Sequence, residues 1–206
     1  MRSGLGQLPC SRPEVLAIAQ LFPSSTVLLG RQAVKSRLLE LSKRGELGQY
    51  AYLHFSAHGT LGDEAGPVRQ PALVLARRPH HPEADAFLTM DDVSHLKLNA
   101  EVAVLSACET GLGEQVHGEG VIGLPRAFLY AGARSVVVSL WEVNDQSTAT
   151  LMQEFYTQMR RGRSRADALR AARQTLLRSS TSAHPYYWAP FILVGDAGSG
   201  PTWQTE

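Results

Sequence analysis

The sequence predicts an α/β protein with three layers, a mostly parallel central sheet carrying helices on both faces. Short apolar runs at 50–59, 72–76, 101–107, 135–141 and 191–194 alternate with longer stretches whose apolar residues recur at helical spacing. The run at 135–141 shows almost no polar alternation, which requires cover on both faces, as in the central strands of parallel sheets. At 206 residues, 44% hydrophobic and 19% charged, the chain suffices for one well-buried core and falls short of two.

Each element has its own justification. Ser11, Pro13 and Glu14 fit a capping box with proline in the first turn, and Val15, Leu16, Ile18, Ala19 and Phe22 then repeat at helical spacing until Pro23. Residues 26–29, Thr-Val-Leu-Leu, read as a buried strand ended by Gly30. Residues 33–43 place Val34, Leu38 and Leu41 on one helical face and stop at Gly45. The run 50–59 is a strand delivering His58 and Gly59 at its end, followed by a loop over 60–70 and a strand over 72–76. The connection 77–86 contains His80 and His81, but no third ligand stands at a familiar spacing, so it reads as a solvated loop rather than a metal site.

Thr89 or a following aspartate caps a short helix, and the strand over 101–107 delivers Cys108 to a glycine-rich loop. A helix from about 120 to 131 follows, started or kinked by Pro125. The run 135–141 is the central strand. Asn144 or Asp145 caps a helix whose Leu151, Met152, Phe155, Tyr156 and Met159 form a wide apolar stripe closed by Gly162. Ser164 and Asp167 open a last helix with Leu169, Ala172 and Leu176 inward and its arginines on a solvated face, and 191–194 is the last strand. Segments 1–8 and 197–206 read as tails to a single domain over 9–196.

Composition excludes several function classes. A formal charge of +1 supplies no field for nucleic acid or an anionic membrane, and neither is expected as a partner. No apolar stretch approaches the roughly 20 residues of a membrane helix, and the start of the chain lacks the apolar core of a secretory signal. Cys10 and Cys108 are a poor disulfide framework, so a reducing, cytoplasmic setting is expected. Residues 118–123, Gly-Glu-Gly-Val-Ile-Gly, match a dinucleotide fingerprint, with Glu142 at the position of its ribose-binding acid. However, about ten residues separate this glycine from its strand, and Glu119 sets negative charge where phosphates would lie. No cofactor and no metal are expected.

The chemistry lies in His58 and Cys108. A thiol is a modest nucleophile at neutral pH until a neighbouring base or cation favours the thiolate. If the two strands are parallel neighbours, His58 and Cys108 emerge side by side at their carboxyl ends. Gly59 permits close approach of a substrate, and its N–H joins that of Cys108 as an oxyanion donor. The set suits acyl transfer through a thioester. Against this stands the ordinary role of a strand-end cysteine as a small core residue. His54 reads as a packed core histidine that shares a face with His58 only while the strand stays regular.

Longer blocks carry a resemblance. They are 53–59 (Leu-His-Phe-Ser-Ala-His-Gly), 104–114 (Val-Leu-Ser-Ala-Cys-Glu-Thr-Gly-Leu-Gly-Glu), 118–120, 126–145 and 184–191 (His-Pro-Tyr-Tyr-Trp-Ala-Pro-Phe). In this order they resemble a CHAT domain, the caspase-like domain related to separase that often follows tetratricopeptide repeats. The resemblance implies a caspase-like three-layer sandwich and a cysteine endopeptidase with a His58–Cys108 dyad. Residues 140–145, Leu-Trp-Glu-Val-Asn-Asp, are similar to a separase-like stretch whose acidic end receives a basic residue before the scissile bond. This makes Asp145 a substrate-binding candidate, although a helix-capping role suits it equally. Expected partners are a protein or peptide substrate and, for a latent enzyme, a tetratricopeptide-repeat or other activating protein. The competing expectation is a non-catalytic CHAT-type interaction or signalling module.

Overall fold

The computed structural model describes residues 8–62, 66–78, 80–106, 119–141 and 144–198, with the backbone alone over 119–122. In chain order its principal elements begin with α1 (Ser11–Gln20), α2 (Lys35–Lys43), β1 (Tyr52–Phe55), β2 (His58–Thr60), β3 (Ala72–Val74), β4 (Phe87–Thr89) and α3 (Met90–Ser94). They continue with β5 (Val102–Leu105), α4 (Glu119–Tyr130), β6 (Ser135–Ser139), α5 (Asp145–Arg160), α6 (Arg165–Leu177) and β7 (Phe191–Gly195).

The main sheet has the order β1-β5-β6-β7. β1, β5 and β6 are parallel, with Phe55 opposite Leu105 and Leu105 opposite Val138, while β7 runs antiparallel on the far edge. β5 and β6 are buried at every residue, the terminal Ser135 and Ser139 of β6 included, as their valine-rich sequences favour. Alternation divides their side chains between two cores. Val102, Val104 and Val137 pack with Ile18 of α1, with Leu151, Met152, Phe155 and Tyr156 of α5, and with Leu169 and Leu176 of α6. Ala103, Leu105, Val136 and Val138 pack on the opposite face with Leu38 and Leu41 of α2, Val93 of α3, and Leu124 and Phe128 of α4. The result is the expected three-layer sandwich, a caspase-like α/β fold. Each large apolar side chain buried in these two cores contributes about 1.5–3 kcal/mol.

Several expectations needed correction. The strand expected over 50–59 is cut at Ser56 and Ala57, and His58 opens a second, antiparallel sheet of order β2-β3-β4. The cut follows from hydrogen bonding. The last amide reaching β1 is that of Ser106, on Phe55 O at 2.9 Å, after which the chain turns so that His58 pairs with Val74 and Gly59 with Leu73. Residues 26–29 belong to no strand; they run half-buried to exposed, with the Thr26 hydroxyl 2.6 Å from that of Tyr50. The arginines of α6 do not all face solvent. Buried Arg165 binds Glu101 at 2.5 Å and Asp196 at 2.7 Å, fastening the chain just beyond β7, and half-buried Arg173 donates to Phe191 O. Within the expected tail 197–206, the Ala197 carbonyl accepts from the Ala166 N–H at 3.1 Å; residues 199–206 lie outside the described residues.

Helix ends follow the sequence more closely. Thr89 and Asp92 form a capping box, and Ser164 Oγ accepts from the Asp167 N–H at 3.1 Å. Gly132, at φ +112°, ends the turn after α4, where an added Cβ would lie 2.2 Å from Leu98 O.

Candidate active site

The carboxyl ends of β1 and β5 lie side by side, as the candidate dyad requires. β1 leads through Ser56 and Ala57 to His58, which is half-buried at the start of β2 and followed by buried Gly59. β5 leads to Ser106, also buried. Cys108 and its loop, 107–118, lie outside the described residues, as does Glu142. Chain connectivity carries Cys108 to two residues beyond Ser106, just as His58 stands two beyond Ser56.

Between these outlets is a group that the sequence reading assigned elsewhere. Glu14 does not close a capping box. Ser11 lies inside α1, its hydroxyl donates to Leu8 O at 2.8 Å, and Cys10 occupies the cap position without a side-chain bond. Glu14 instead turns inward, 4% exposed, and accepts three hydrogen bonds. Ser56 Oγ donates to Oε2 at 2.7 Å, Ser106 Oγ to Oε1 at 2.7 Å, and His54 Nε2 lies 3.1 Å from Oε1. The Tyr156 hydroxyl lies 3.3 Å from His54 Nδ1, so both ring nitrogens of His54 have partners.

Burial alone pushes the Glu14 carboxyl up. The hydrogen bond and charge of His54, and then the two serine hydroxyls, outweigh it and hold the group below the ordinary carboxylate value. Burial, and then the charge of Glu14, push the Tyr156 phenol well above its ordinary value. His54 is therefore the packed histidine that was expected, though its partner was not. A signal did exist: Glu14 is one helical turn before Ile18, on the apolar face of α1, where an unpaired carboxylate is not tolerated.

Asp145 is the first residue of α5, and the cap falls to Asn144, whose Oδ1 accepts from the N–H groups of Gln146 at 3.0 Å and Ser147 at 3.3 Å. The Asp145 carboxylate faces the start of α1, with Oδ2 3.5 Å from the Cys10 amide. A cavity of about 630 Å³ beside β1 is lined by Val15, Ile18, Phe22, Leu28 and Leu53, with His54 and Ser56 also in its wall.

Residues 1–196 match the CHAT domain family. The chain belongs to this family. The family is a member of the caspase-like, peptidase-related superfamily, in keeping with the sheet order and layers described above. The CHAT domain also resembles Tetratricopeptide repeat protein 28 of Mus musculus, with 26% identity over 218 residues that cover 92% of this chain and 9% of the mouse protein. The protein of the same name in Homo sapiens is 36% identical over 114 residues, 55% of this chain and 5% of the human one. The chain thus spans less than a tenth of the length of these relatives. Among the described residues, no helix of this CHAT domain is long and apolar enough to cross a membrane.

Proposed function

We propose that this CHAT domain is a cysteine endopeptidase working in the cytoplasm through His58 and Cys108. The observation that carries the reading is the parallel pairing of β1 with β5, closed by the Ser106 amide on Phe55 O, which brings the two segments leading to these residues to one end of the sheet. The Cys108 thiolate attacks the scissile carbonyl carbon. The developing oxyanion is held by the N–H groups of Gly59 and Cys108. As the C–N bond breaks, His58 gives a proton to the leaving amine, and the acyl group remains on sulfur as a thioester. His58 then takes a proton from the attacking water, the C–S bond breaks, and the acid is released. Asp145 receives a basic side chain before the scissile bond. A tetratricopeptide-repeat protein or similar partner activates a latent form, a reading suggested by the names of the two relatives.

The test is a peptide-library cleavage profile of the wild-type chain and Cys108→Ala, with and without cell lysate. Cleavage lost in Cys108→Ala and enriched for Arg or Lys before the cut is expected. An identical profile from both proteins removes the peptidase reading and leaves a non-catalytic interaction module.

A further inference from the structure

The cluster around Glu14 takes no chemical part in the reaction above, yet it stands at the root of both reacting segments. Ser56 precedes His58 by two residues, and Ser106 precedes Cys108 by two. One carboxylate joins them, accepting from each hydroxyl on a separate oxygen at 2.7 Å. These are also the points where regular pairing stops, because β1 ends at Phe55 and β5 at Leu105. Two serine hydroxyls have rotatable donors and would not fix their own separation; a shared ionised acceptor does so. That acceptor is carried by α1, which is anchored in the core by Ile18. His54 Nε2 shares Oε1 with the Ser106 hydroxyl, and Tyr156 backs His54 at Nδ1, which fixes the orientation of the carboxylate. Stability alone does not explain the arrangement, since burying a carboxylate is costly and apolar residues at all four positions, 14, 54, 56 and 106, would pack without that cost. Fixing a register is the best-attested use of such a group.

We infer that Glu14 is a positioning residue, tying the carboxyl ends of β1 and β5 together through Ser56 and Ser106 so that the chain entering His58 is held at a set distance from the end of β5 that leads to Cys108. The inference rests on the dyad reading above.

The experiment compares wild type, Glu14→Gln, Ser106→Ala and, as the reference for dependence on the dyad, His58→Ala, all as full chains. Glu14→Gln keeps shape and an acceptor but loses the charge, and Ser106→Ala is a milder second variant should Glu14→Gln fold poorly. Two quantities are measured: the rate of Cys108 alkylation by iodoacetamide as a function of pH, and backbone hydrogen exchange across 52–62, 102–106 and β6. Glu14→Gln is expected to slow alkylation at least about tenfold and to displace its pH profile, because ångström-scale misplacement of a reacting pair costs up to about a hundredfold. Exchange should rise in 52–62 and 102–106 but not in β6, which separates local loosening from global destabilisation. A wild-type rate and profile in Glu14→Gln, where wild-type labelling depends on His58, overturns the inference and leaves the dyad standing. Should wild-type labelling not depend on His58, the dyad reading fails on its own. The exchange result then decides the role of Glu14: local acceleration supports the tie, and unchanged exchange overturns it.

Discussion

Glu14→Ala gives a sharp energetic test of the polar cluster. It removes one acceptor and strands three buried donors, Ser56 Oγ, Ser106 Oγ and His54 Nε2, each of which costs about 1–3 kcal/mol when left unsatisfied. The three are not additive, because the serine hydroxyls can rotate toward other acceptors, so a loss of about 3–5 kcal/mol is expected near neutral pH. That is a large share of the roughly 5–15 kcal/mol that keeps a domain folded. The pH dependence has a definite sign. The folded-state carboxyl titrates below its ordinary value, so the native state binds fewer protons than the unfolded chain between the two values. Its contribution is fully present above the ordinary carboxylate range and is lost as pH falls through the lowered folded value. Urea denaturation of wild type and Glu14→Ala, run at neutral pH and in steps down through the carboxylate range, measures both effects. A difference under about 0.5 kcal/mol at neutral pH, or one that fails to shrink with acidification, refutes the reasoning.

Other substitutions test the scaffold and the specificity reading. Gly132→Ala forces a side chain into a φ of +112° and sets its Cβ against Leu98 O, so it should cost about 3 kcal/mol or more, seen as a lower denaturation midpoint. Phe155→Ala empties a fully buried site on α5, in the core it shares with the sheet, α1 and α6, and should cost about 3–5 kcal/mol in the same assay. Asn144→Ala removes the cap of α5 and should cost about 1 kcal/mol, whereas Asp145→Ala spares that cap and should mainly weaken the preference for Arg or Lys in a cleavage profile. A stability loss in Asp145→Ala larger than that in Asn144→Ala contradicts this division of roles.

Much of the fold was legible because its strongest signals were long or unbroken. The run of β6 announced burial on both faces, the stripe from Leu151 to Met159 announced α5, and Ser164 with Asp167 announced the start of α6. Short elements were less legible. β4 has three residues and runs directly into the capping box of α3, too brief for alternation to register. The break at Ser56 and Ala57 was hidden because the residues on either side are all compatible with one continuous strand, and only the partner ladder ends there. Residues 26–29 show the reverse case, a sequence with strand character that finds no ladder.

Within the site, the strand-end argument put His58 and Gly59 at the end of one continuous strand, whereas they open β2 of the second sheet, and the Cys108 loop lies outside the described residues. Glu14 was missed because a local motif gave a sufficient explanation for it. Its partners Ser56 and Ser106 are separated from it by 42 and 92 residues, distances that only the folded chain closes. Arg165 went unrecognised for a related reason: it sits in a helix rich in arginines, and only Glu101 and Asp196, both distant in sequence, single it out.

The central claim is that His58 and Cys108 act as one chemical unit, and thiol labelling reaches it most directly. The wild-type chain and His58→Ala are treated with a limiting peptidyl acyloxymethyl ketone, and modification of Cys108 and Cys10 is read by mass spectrometry. The dyad predicts rapid modification of Cys108 over Cys10 in the wild type, with that preference lost in His58→Ala. Equal labelling of both thiols, or a preference for Cys108 that survives His58→Ala, contradicts it.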